Sequence, residues 1–550
     1  MRGLLMGAVL LAACNNADVD SEVGNAATQP PSDERLDKPM EAIGNAIRST
    51  ANRRALGEAI MEGRVSSEEA TKTFLDSIEV LDANGPQLRS VLAINPQALD
   101  AARNADASDG DGLLNGLPVL IKDNIETREL PTTAGSRALI NNATQRDAPA
   151  VARLRAEGAV ILGKANLSEW ANFRSLQSIS GWSALGGQTR NPHDLTRNTC
   201  GSSSGSGAAV AAGLAWAALG TETNGSITCP SAFNGIVGFK PTVGMVSRRY
   251  VVPVALTQDT IGPMTTRVFD AAMIMNAIAG TDPDDPATAE ADQRVVDFVA
   301  GLEGASLEGV RLGVLRWAQS TDPKEQAVFE EALKRAQDAG AILVDIHTYD
   351  TPPLEGPGFF VVKAEFKAAV NAYLAEAAPD VTVRSLSDVI AFNEGDQQET
   401  ALFSQDILVA SEAMPDLDDQ GYRDAVATTR RATGPQGIDK LLADNDVAFL
   451  IAPSNGLPYL IDPIRGDIDS SQVGAGWMAA LAGYPHLTLP MGGVRGLPLG
   501  LSIMGTQWDD AGVLRIGQAF EEVLPEPLVP SFRSSAEEVA KIRAAQSPAL

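Results

Sequence analysis

One stretch limits what this chain can fold into more than any other. Residues 198–234 read NTCGSSSGSGAAVAAGLAWAALGTETNGSITCPSAFN. A flexible linker would continue in Gly, Ser, Pro and charge, whereas this Gly/Ser segment runs directly into AAVAAGLAWAAL, an apolar run that needs burial. Two serine-bearing turns are therefore held by buried segments, an arrangement that lets backbone N–H groups face a ligand.

The same stretch predicts a definite order of local structure. We expect a loop over residues 198–205, a small-residue helix at about 206–213, a strand at about 215–221 and a tight turn at 222–225. Asn224 and Gly225 suit a turn with unusual backbone angles. A new helix is expected to begin near Ser226, and the unpaired N–H groups of a helix N-terminus can hold an oxyanion.

Helices and strands alternate through the rest of the chain. The segment GLPVLIKDN reads as a short apolar strand that ends in Lys122. Further strand patterns are AVILG, VRLGVLRWA and NDVAFLIAPSNGLP, and AGYPHLTLPMGGVRGLPLGLSIMG reads as two strands joined by a Gly-rich turn. This alternation predicts an α/β architecture. Residues 320–440 are more polar and helical, and we interpret them as a peripheral segment that carries specificity.

Charge and cysteine content exclude several functions. The chain of 550 residues has a formal net charge of −27, which argues against nucleic-acid binding and against adsorption to anionic lipid through a basic patch. Its three cysteines and three histidines show no zinc-type spacing. This spacing therefore gives no indication of a zinc site.

The N-terminus predicts export and lipid anchoring. The apolar run GLLMGAVLLAA is too short to span a bilayer, and it ends in Leu-Ala-Ala-Cys14, which resembles the lipobox of bacterial lipoproteins. We predict a signal peptide over residues 1–13 and a lipidated Cys14 on a flexible tether over 14–39. An ordinary signal peptide with a chance cysteine, or a buried first helix, remains open. Asn15 after the cysteine favours the periplasmic face of the outer membrane in the cell envelope.

A serine nucleophile in this stretch needs a base. His193 is the nearest histidine in sequence, but it lies in a polar loop with nothing obvious to orient it. The residues around Ser226, Asn-Gly-Ser-Ile-Thr, do not match the G-x-S-x-G elbow of Ser-His-Asp hydrolases. The alternative base is a lysine whose pKa is lowered by burial or by nearby positive potential.

Several segments together resemble the amidase signature family. They are GLPVLIKDN, TTAGS, GKANLSEWA, GGQTRNP, GSSSGSGAAVAAG, GTETNGSI, GFKPTVG and DTIGPM. The resemblance runs from about residue 45 to 530 and is densest over 116–264. Within the family the chain looks most like the bacterial peptide amidases, through SISGWSALGGQTRNP, CGSSSGS and GTETNGSITCP.

The resemblance implies a fold and a set of site residues. We expect a single large domain over residues 40–535, with a mixed β-sheet core covered by helices on both faces, and a C-terminal tail over 536–550. Lys122 matches the family's base, Ser202 the bridging serine held by a cis peptide, and Ser226 the nucleophile. The backbone of Thr223, Asn224, Gly225 and Ser226 matches the oxyanion turn. The common Gly-Gly-Ser-Ser-Gly-Gly is replaced here by Cys-Gly-Ser-Ser-Ser-Gly.

The implied function is that of a serine amidohydrolase with a Ser-Ser-Lys triad, which converts carboxamides into carboxylic acid and ammonia. The expected substrate is the C-terminal amide of peptides, and the implied mechanism requires no metal and no cofactor. One alternative is a broader amidase for fatty-acid, aryl or small aliphatic amides; another is a non-catalytic binding lipoprotein on the same fold. The export signal and acidic surface argue against the amidotransferase component that modifies charged tRNA. Cys200 and Cys229 flank the site, and whether they pair in an oxidising envelope or stay as two small buried thiols is open.

Overall fold

The structure is a computed structural model that describes residues 53–108, 112–350, 353–468, 473–540 and 542–543. The predicted signal peptide, tether and Cys14 lie outside these ranges.

One sheet of eleven strands organises the described residues, with the strand order β1-β3-β2-β6-β8-β7-β12-β13-β11-β9-β10. A separate two-stranded sheet pairs β4 with β5. The strands are β1 (Val91–Ile94), β2 (Pro118–Lys122), β3 (Val160–Ala165), β4 (Trp182–Ser183), β5 (Gly187–Gln188), β6 (Ala217–Glu222), β7 (Val237–Lys240), β8 (Thr260–Thr265), β9 (Arg311–Leu315), β10 (Ile342–Ile346), β11 (Phe449–Pro453), β12 (His486–Val494) and β13 (Leu497–Met504).

The sheet is mixed. Strand β2 runs parallel to β3 and to β6, and β9 runs parallel to β10 and to β11. The remaining pairings are antiparallel, including the predicted hairpin of β12 and β13. The register that pairs Ile121 with Leu219 matters most for function, because it brings the carboxyl ends of β2 and β6 to the same edge.

Sixteen α-helices are found among the described residues. They are α1 (Arg53–Met61), α2 (Ser67–Ser77), α3 (Ala98–Ala107), α4 (Pro149–Ala156), α5 (Ser204–Ala212), α6 (Thr228–Asn234), α7 (Val268–Ile278), α8 (Ala291–Arg294), α9 (Pro323–Asp338), α10 (Glu355–Ala375), α11 (Leu386–Gly395), α12 (Asp406–Glu412), α13 (Gln420–Thr433), α14 (Asp439–Asp444), α15 (Gly476–Ala482) and α16 (Asp510–Val523). None of these described helices is both long enough and apolar enough to cross a lipid bilayer.

Burial shows that both faces of the sheet are covered. Every residue of β2, β6, β8, β11 and β13 is buried. Successive side chains of a strand point to opposite faces, so continuous burial requires packing on both sides. The prediction of an α/β domain with a mixed sheet between helices is confirmed.

The helix after the turn over residues 223–226 begins close to its predicted start. We expected it near Ser226, and α6 begins at Thr228. The N–H of Cys229 already donates to the carbonyl of Gly225 (2.8 Å), but Pro230 has no N–H to continue this helical pattern at Ser226. One carboxylate oxygen of Glu222 accepts hydrogen bonds from the backbone N–H groups of Ile227 (2.8 Å) and Thr228 (3.0 Å) at the helix start. The preceding helix, α5, begins two residues earlier than predicted, at Ser204.

The segment 320–440 is only partly peripheral. Its strand β10 pairs with β9 and forms one edge of the main sheet, which the helical pattern did not indicate. Helices α10 to α12 do lie outside the sheet and pack against a loop that holds Trp170 and Phe173. The ring of Phe366 on α10 lies 5.0 Å from that of Phe173. These helices therefore cover a loop that leads to the serine stretch.

Candidate active site

Lys122 ends strand β2 with its side chain in the interior. The residue is fully buried, and its Nζ donates hydrogen bonds to Oγ of Ser202 (2.7 Å) and to Oγ1 (2.7 Å) and the carbonyl oxygen (3.2 Å) of Thr221. Burial lowers the pKa of Lys122 from 10.5 to about 7, and the negative charges of Asp259 and Glu222 partly oppose this shift. A large share of this lysine is therefore neutral at pH 7.

Ser202 sits in the loop before α5, after a cis peptide bond between Gly201 and Ser202. Its carbonyl oxygen accepts a hydrogen bond from the backbone N–H of Ser168 (3.0 Å), and the next residue, Ser203, donates its N–H to the carbonyl of Ser226 (3.2 Å). The backbone of this loop thus touches the turn that carries Ser226. Among the described residues, no hydrogen bond joins the hydroxyl groups of Ser202 and Ser226.

The turn from Thr223 to Ser226 follows strand β6. Gly225 has φ 82°, a left-handed conformation that favours glycine. Within the described part of the chain, the N–H groups of Asn224, Gly225 and Ser226 donate to no other residue. Ser226 itself is 8% exposed. Amide donors converge beside a nearly buried serine, an arrangement suited to a developing negative charge.

Two carboxylates that the sequence did not single out hold this turn. Glu222 binds the start of α6, as described above. Asp259 accepts a hydrogen bond from Oγ1 of Thr223 (2.6 Å), and its second oxygen accepts from the N–H groups of Val254 (2.8 Å) and Ala255 (2.9 Å). Burial raises the pKa of Asp259, although its three hydrogen bonds favour the charged form. Position directly before the turn is a signal for Glu222, and Asp259 begins the segment DTIGPM of the family resemblance, although that segment gave no indication of its contact with the turn.

A second buried lysine supports the strand that carries Lys122. Nζ of Lys164 forms an ion pair with Asp123 (3.0 Å) and donates to Oγ1 of Thr132 (2.7 Å) and to the carbonyl of Ile125 (2.8 Å). Burial lowers the pKa of Lys164, and the charge of Asp123 opposes this shift. Lys164 is thus paired with a carboxylate, whereas the hydrogen bonds of Lys122 within the described residues go to hydroxyl and carbonyl oxygens.

The two cysteines of the serine stretch form a disulfide. Cys200 and Cys229 are linked with their Cα atoms 5.9 Å apart. The pairing left open by the sequence is therefore resolved in favour of a bridge between the Ser202 loop and helix α6.

A cavity of about 710 Å³ is lined in part by Thr221 and Asn124. Oγ1 of Thr221 accepts hydrogen bonds from Nζ of Lys122 (2.7 Å) and from Nδ2 of Asn124 (3.0 Å), so one wall of the cavity contacts the lysine. Thr223 and Asp259 also line it, but neither Ser202 nor Ser226 does. Its volume lies in the range of small-ligand sites.

The histidines take no part in this arrangement. His193 is buried, and its Nε2 is hydrogen-bonded to the carbonyl of Asn234 (3.0 Å), so the tertiary structure supplies the orientation that the loop sequence lacked. Nε2 of His486 bonds to Oγ of Ser502 (2.6 Å). Burial lowers the pKa of His486 to about 4. Over the described ranges, no group of three or more His, Cys, Asp or Glu side chains is arranged to hold a metal ion.

Comparison with known proteins gives consistent matches. A family model described as "Amidase" matches residues 69–514. The structure of native peptide amidase from Stenotrophomonas maltophilia superposes with a TM-score of 0.81 at 43% identity, over 87% of this chain and 97% of that one. A probable amidase of Arabidopsis thaliana is 36% identical over 482 residues, which is 84% of this chain and 88% of that protein. A putative amidase of Schizosaccharomyces pombe is 34% identical over 533 residues, 90% of this chain and 88% of that protein.

Proposed function

This chain belongs to the amidase family and is an amidase, and we propose that it works through a triad of Lys122, Ser202 and Ser226. The observation that carries the proposal is the buried contact of 2.7 Å between Nζ of Lys122 and Oγ of Ser202. A lysine with a pKa of about 7 has a lone pair available at neutral pH, which an ordinary surface lysine lacks.

The first half of the reaction forms an acyl-enzyme. Neutral Lys122 accepts the hydroxyl proton of Ser202 while Ser202 accepts that of Ser226, and the Ser226 oxygen attacks the amide carbonyl carbon. The contact between the two serine hydroxyls has to tighten when substrate binds, as catalytic hydrogen bonds often do. The backbone N–H groups of the turn from Thr223 to Ser226 stabilise the oxyanion, and loss of one such donor in other enzymes costs about 3–4 kcal/mol.

The second half releases both products. The leaving nitrogen must be protonated because an amide anion is too basic to leave, and Ser202 supplies this proton, which Lys122 restores to it. The C–N bond breaks and ammonia departs. A water molecule then gives up a proton through the same relay and attacks the ester of Ser226, which frees the carboxylic acid and regenerates the serine.

The substrate we propose is the C-terminal carboxamide of a peptide. Support comes from the 43% identity to the peptide amidase of Stenotrophomonas maltophilia, which covers almost that whole protein. Amides of fatty acids, anilides and small aliphatic amides form the alternative substrate class.

Mass spectrometry of defined amides separates these substrates. The purified enzyme is incubated with a C-terminally amidated dipeptide, a fatty amide, an anilide and free glutamine, and each is followed for conversion to its acid. We expect the dipeptide amide to have the highest kcat/KM. A preference for the fatty amide or the anilide would contradict the peptide assignment. Failure to hydrolyse any of the four, together with no labelling of Ser226 by a fluorophosphonate, would support the non-catalytic alternative.

We also propose that the enzyme is a lipoprotein anchored through Cys14 in the bacterial envelope, on the periplasmic face of the outer membrane. The disulfide between Cys200 and Cys229 supports an oxidising compartment. In a bacterial host, Cys14→Ser should move the protein from the membrane to the soluble fraction and abolish incorporation of a labelled fatty acid. Asn15→Asp serves as the matched variant, which should keep lipidation and shift the protein to the inner membrane. Membrane recovery of Cys14→Ser would refute the anchor.

A further inference from the structure

We propose that the disulfide between Cys200 and Cys229 is a positioning element of catalysis, which holds the relay serine in line with the nucleophile, and that its reduction lowers turnover. This inference rests on the proposed function, because it assigns Ser202 and Ser226 their roles. The bond joins the two segments that carry these serines: Cys200 lies two residues before Ser202, and Cys229 three residues after Ser226.

On the loop side, hydrogen bonds hold the backbone of Cys200 in the loop that carries Ser202. Its N–H donates to Oδ1 of Asn198 (2.7 Å), and its carbonyl accepts a hydrogen bond from Oγ of Ser204 (2.7 Å). Its φ of 57° is left-handed, which a residue with a Cβ rarely adopts without support from its surroundings. A displacement of Cys200 would therefore be passed directly to the backbone of Gly201 and Ser202.

On the helix side, Cys229 is coupled to the oxyanion turn. It lies in the first turn of α6, and its N–H donates to the carbonyl of Gly225 (2.8 Å). Helix α6 has only seven residues, and a helix this short has little stability of its own. The contacts that hold its first turn include the disulfide and the Glu222 carboxylate.

Hydrogen bonds also link the two segments directly. They include the bond from the N–H of Ser203 to the carbonyl of Ser226 (3.2 Å) and that from Nδ2 of Asn234 to the carbonyl of Thr199 (3.1 Å). The proposed relay needs the two serine oxygens aligned within a few tenths of an ångström, and a misplacement of about 1 Å can cost about 100-fold in rate. A covalent link between the two segments restrains the distance between these oxygens, on which proton transfer from Ser226 to Ser202 depends.

The disulfide is buried, but a small fraction of each cysteine is exposed to solvent. Cys200 and Cys229 are each 9% exposed, whereas Ser202 and Ser203 are fully buried. Phe233 packs against the two cysteines, and its ring lies 5.4 Å from the ring of Tyr459 in an edge-to-face contact. The adjoining Ser202 and Ser203 are thus more deeply buried than the cysteines that form the bond.

The test compares turnover with and without the bond in the full chain. The double variant Cys200→Ala/Cys229→Ala should lose about 10- to 100-fold in kcat on the amidated dipeptide, while KM changes by less than about twofold. The rate of Ser226 labelling by a fluorophosphonate should fall in parallel. Leu333→Ala, a buried change on α9 remote from the serines, is the matched control: it should lower the Tm and leave kcat unchanged.

Reduction of the wild-type enzyme gives a second measurement that needs no variant. Dithiothreitol transfers two electrons and two protons to the cystine, which yields two thiols, and itself becomes the cyclic disulfide. kcat should fall as free thiols appear, recover on reoxidation, and stay constant in the double variant under the same treatment.

Either of two results would overturn the inference: an unchanged kcat in a folded double variant, or full turnover by wild-type enzyme whose two thiols have been counted as free. A change in KM alone is a case of the first result, because positioning of the relay acts on the chemical step. A wild-type enzyme that hydrolyses no amide would instead refute the proposed function, so the two failures are distinguishable.

Discussion

Nζ of Lys122 lies 2.7 Å from Oγ of Ser202, although 80 residues separate the two in the chain. The contact exists because β2 and β6 are parallel neighbours and α5 begins just beyond the loop that carries Ser202. Burial at this edge of the sheet lowers the pKa of the lysine, as its proposed role as a base requires, and four predictions follow from the geometry of this site.

Replacement of Ser226 and replacement of Ser202 should have different effects on kcat and on fluorophosphonate labelling. Ser226→Ala removes the nucleophile and should lower kcat by about 10³-fold or more and abolish fluorophosphonate labelling. Ser202→Ala removes only the relay, so it should lower kcat strongly while slow labelling of Ser226 persists. Ser206→Ala on α5 removes a buried hydroxyl that bonds to the carbonyl of Leu219, and it should leave kcat nearly unchanged. Equal labelling of the Ser226→Ala variant and the wild type would exclude Ser226 as nucleophile.

Activity should rise with pH through the titration of Lys122. The neutral amine is the active form, so kcat/KM should increase about tenfold per pH unit below pH 7 and level off above about pH 8. Lys122→Arg should be inactive across this range because a guanidinium stays protonated. A flat profile between pH 5 and 8 for the wild type, measured as initial rates on the amidated dipeptide, would argue against a lysine base.

The charge of Asp259 should affect the pH at which kcat/KM rises. Its negative charge opposes the lowering of the Lys122 pKa, so Asp259→Asn should shift the ascending limb to lower pH. Asp345→Asn makes the same charge change on β10, at the far edge of the sheet, where screening by salt should prevent any shift. A shift to higher pH in Asp259→Asn would mean that the carboxylate does not act on Lys122 through its charge.

Substitution of Gly225 should be unfavourable because of its backbone conformation and not because a side chain would clash. A Cβ there would have free space, with its nearest neighbour, Cβ of Cys229, at 4.0 Å, but φ is 82°. Gly225→Ala should therefore cost about 1–2 kcal/mol of strain, or displace the turn and lower kcat. At Gly356 on α10 an added Cβ would have no neighbour within 4 Å, and φ is not positive. Gly356→Ala should therefore raise stability by up to about 1 kcal/mol. Urea denaturation and kcat for both variants provide the measurement.

Periodicity and burial in the sequence predicted most of the secondary structure. The alternation of helix and strand, the hairpin of β12 and β13 and the strand ending in Lys122 are confirmed because each depends on short-range patterns of apolar residues. The local pattern placed the start of α6 near Ser226, two residues before Thr228, because it did not take account of the N–H that Pro230 lacks.

The sequence by itself determined the fold class, the family and, through the resemblance, which lysine and serines form the candidate site. Only the tertiary structure decided that Lys122 has lost its ordinary pKa, that Asp259 binds the turn from 36 residues away, and that Cys200 and Cys229 pair. The physical reason is that local patterns record the period and burial of one element at a time. Desolvation, charge–charge distance and sulfur–sulfur contact arise only when strands and loops distant in sequence share one edge of a sheet.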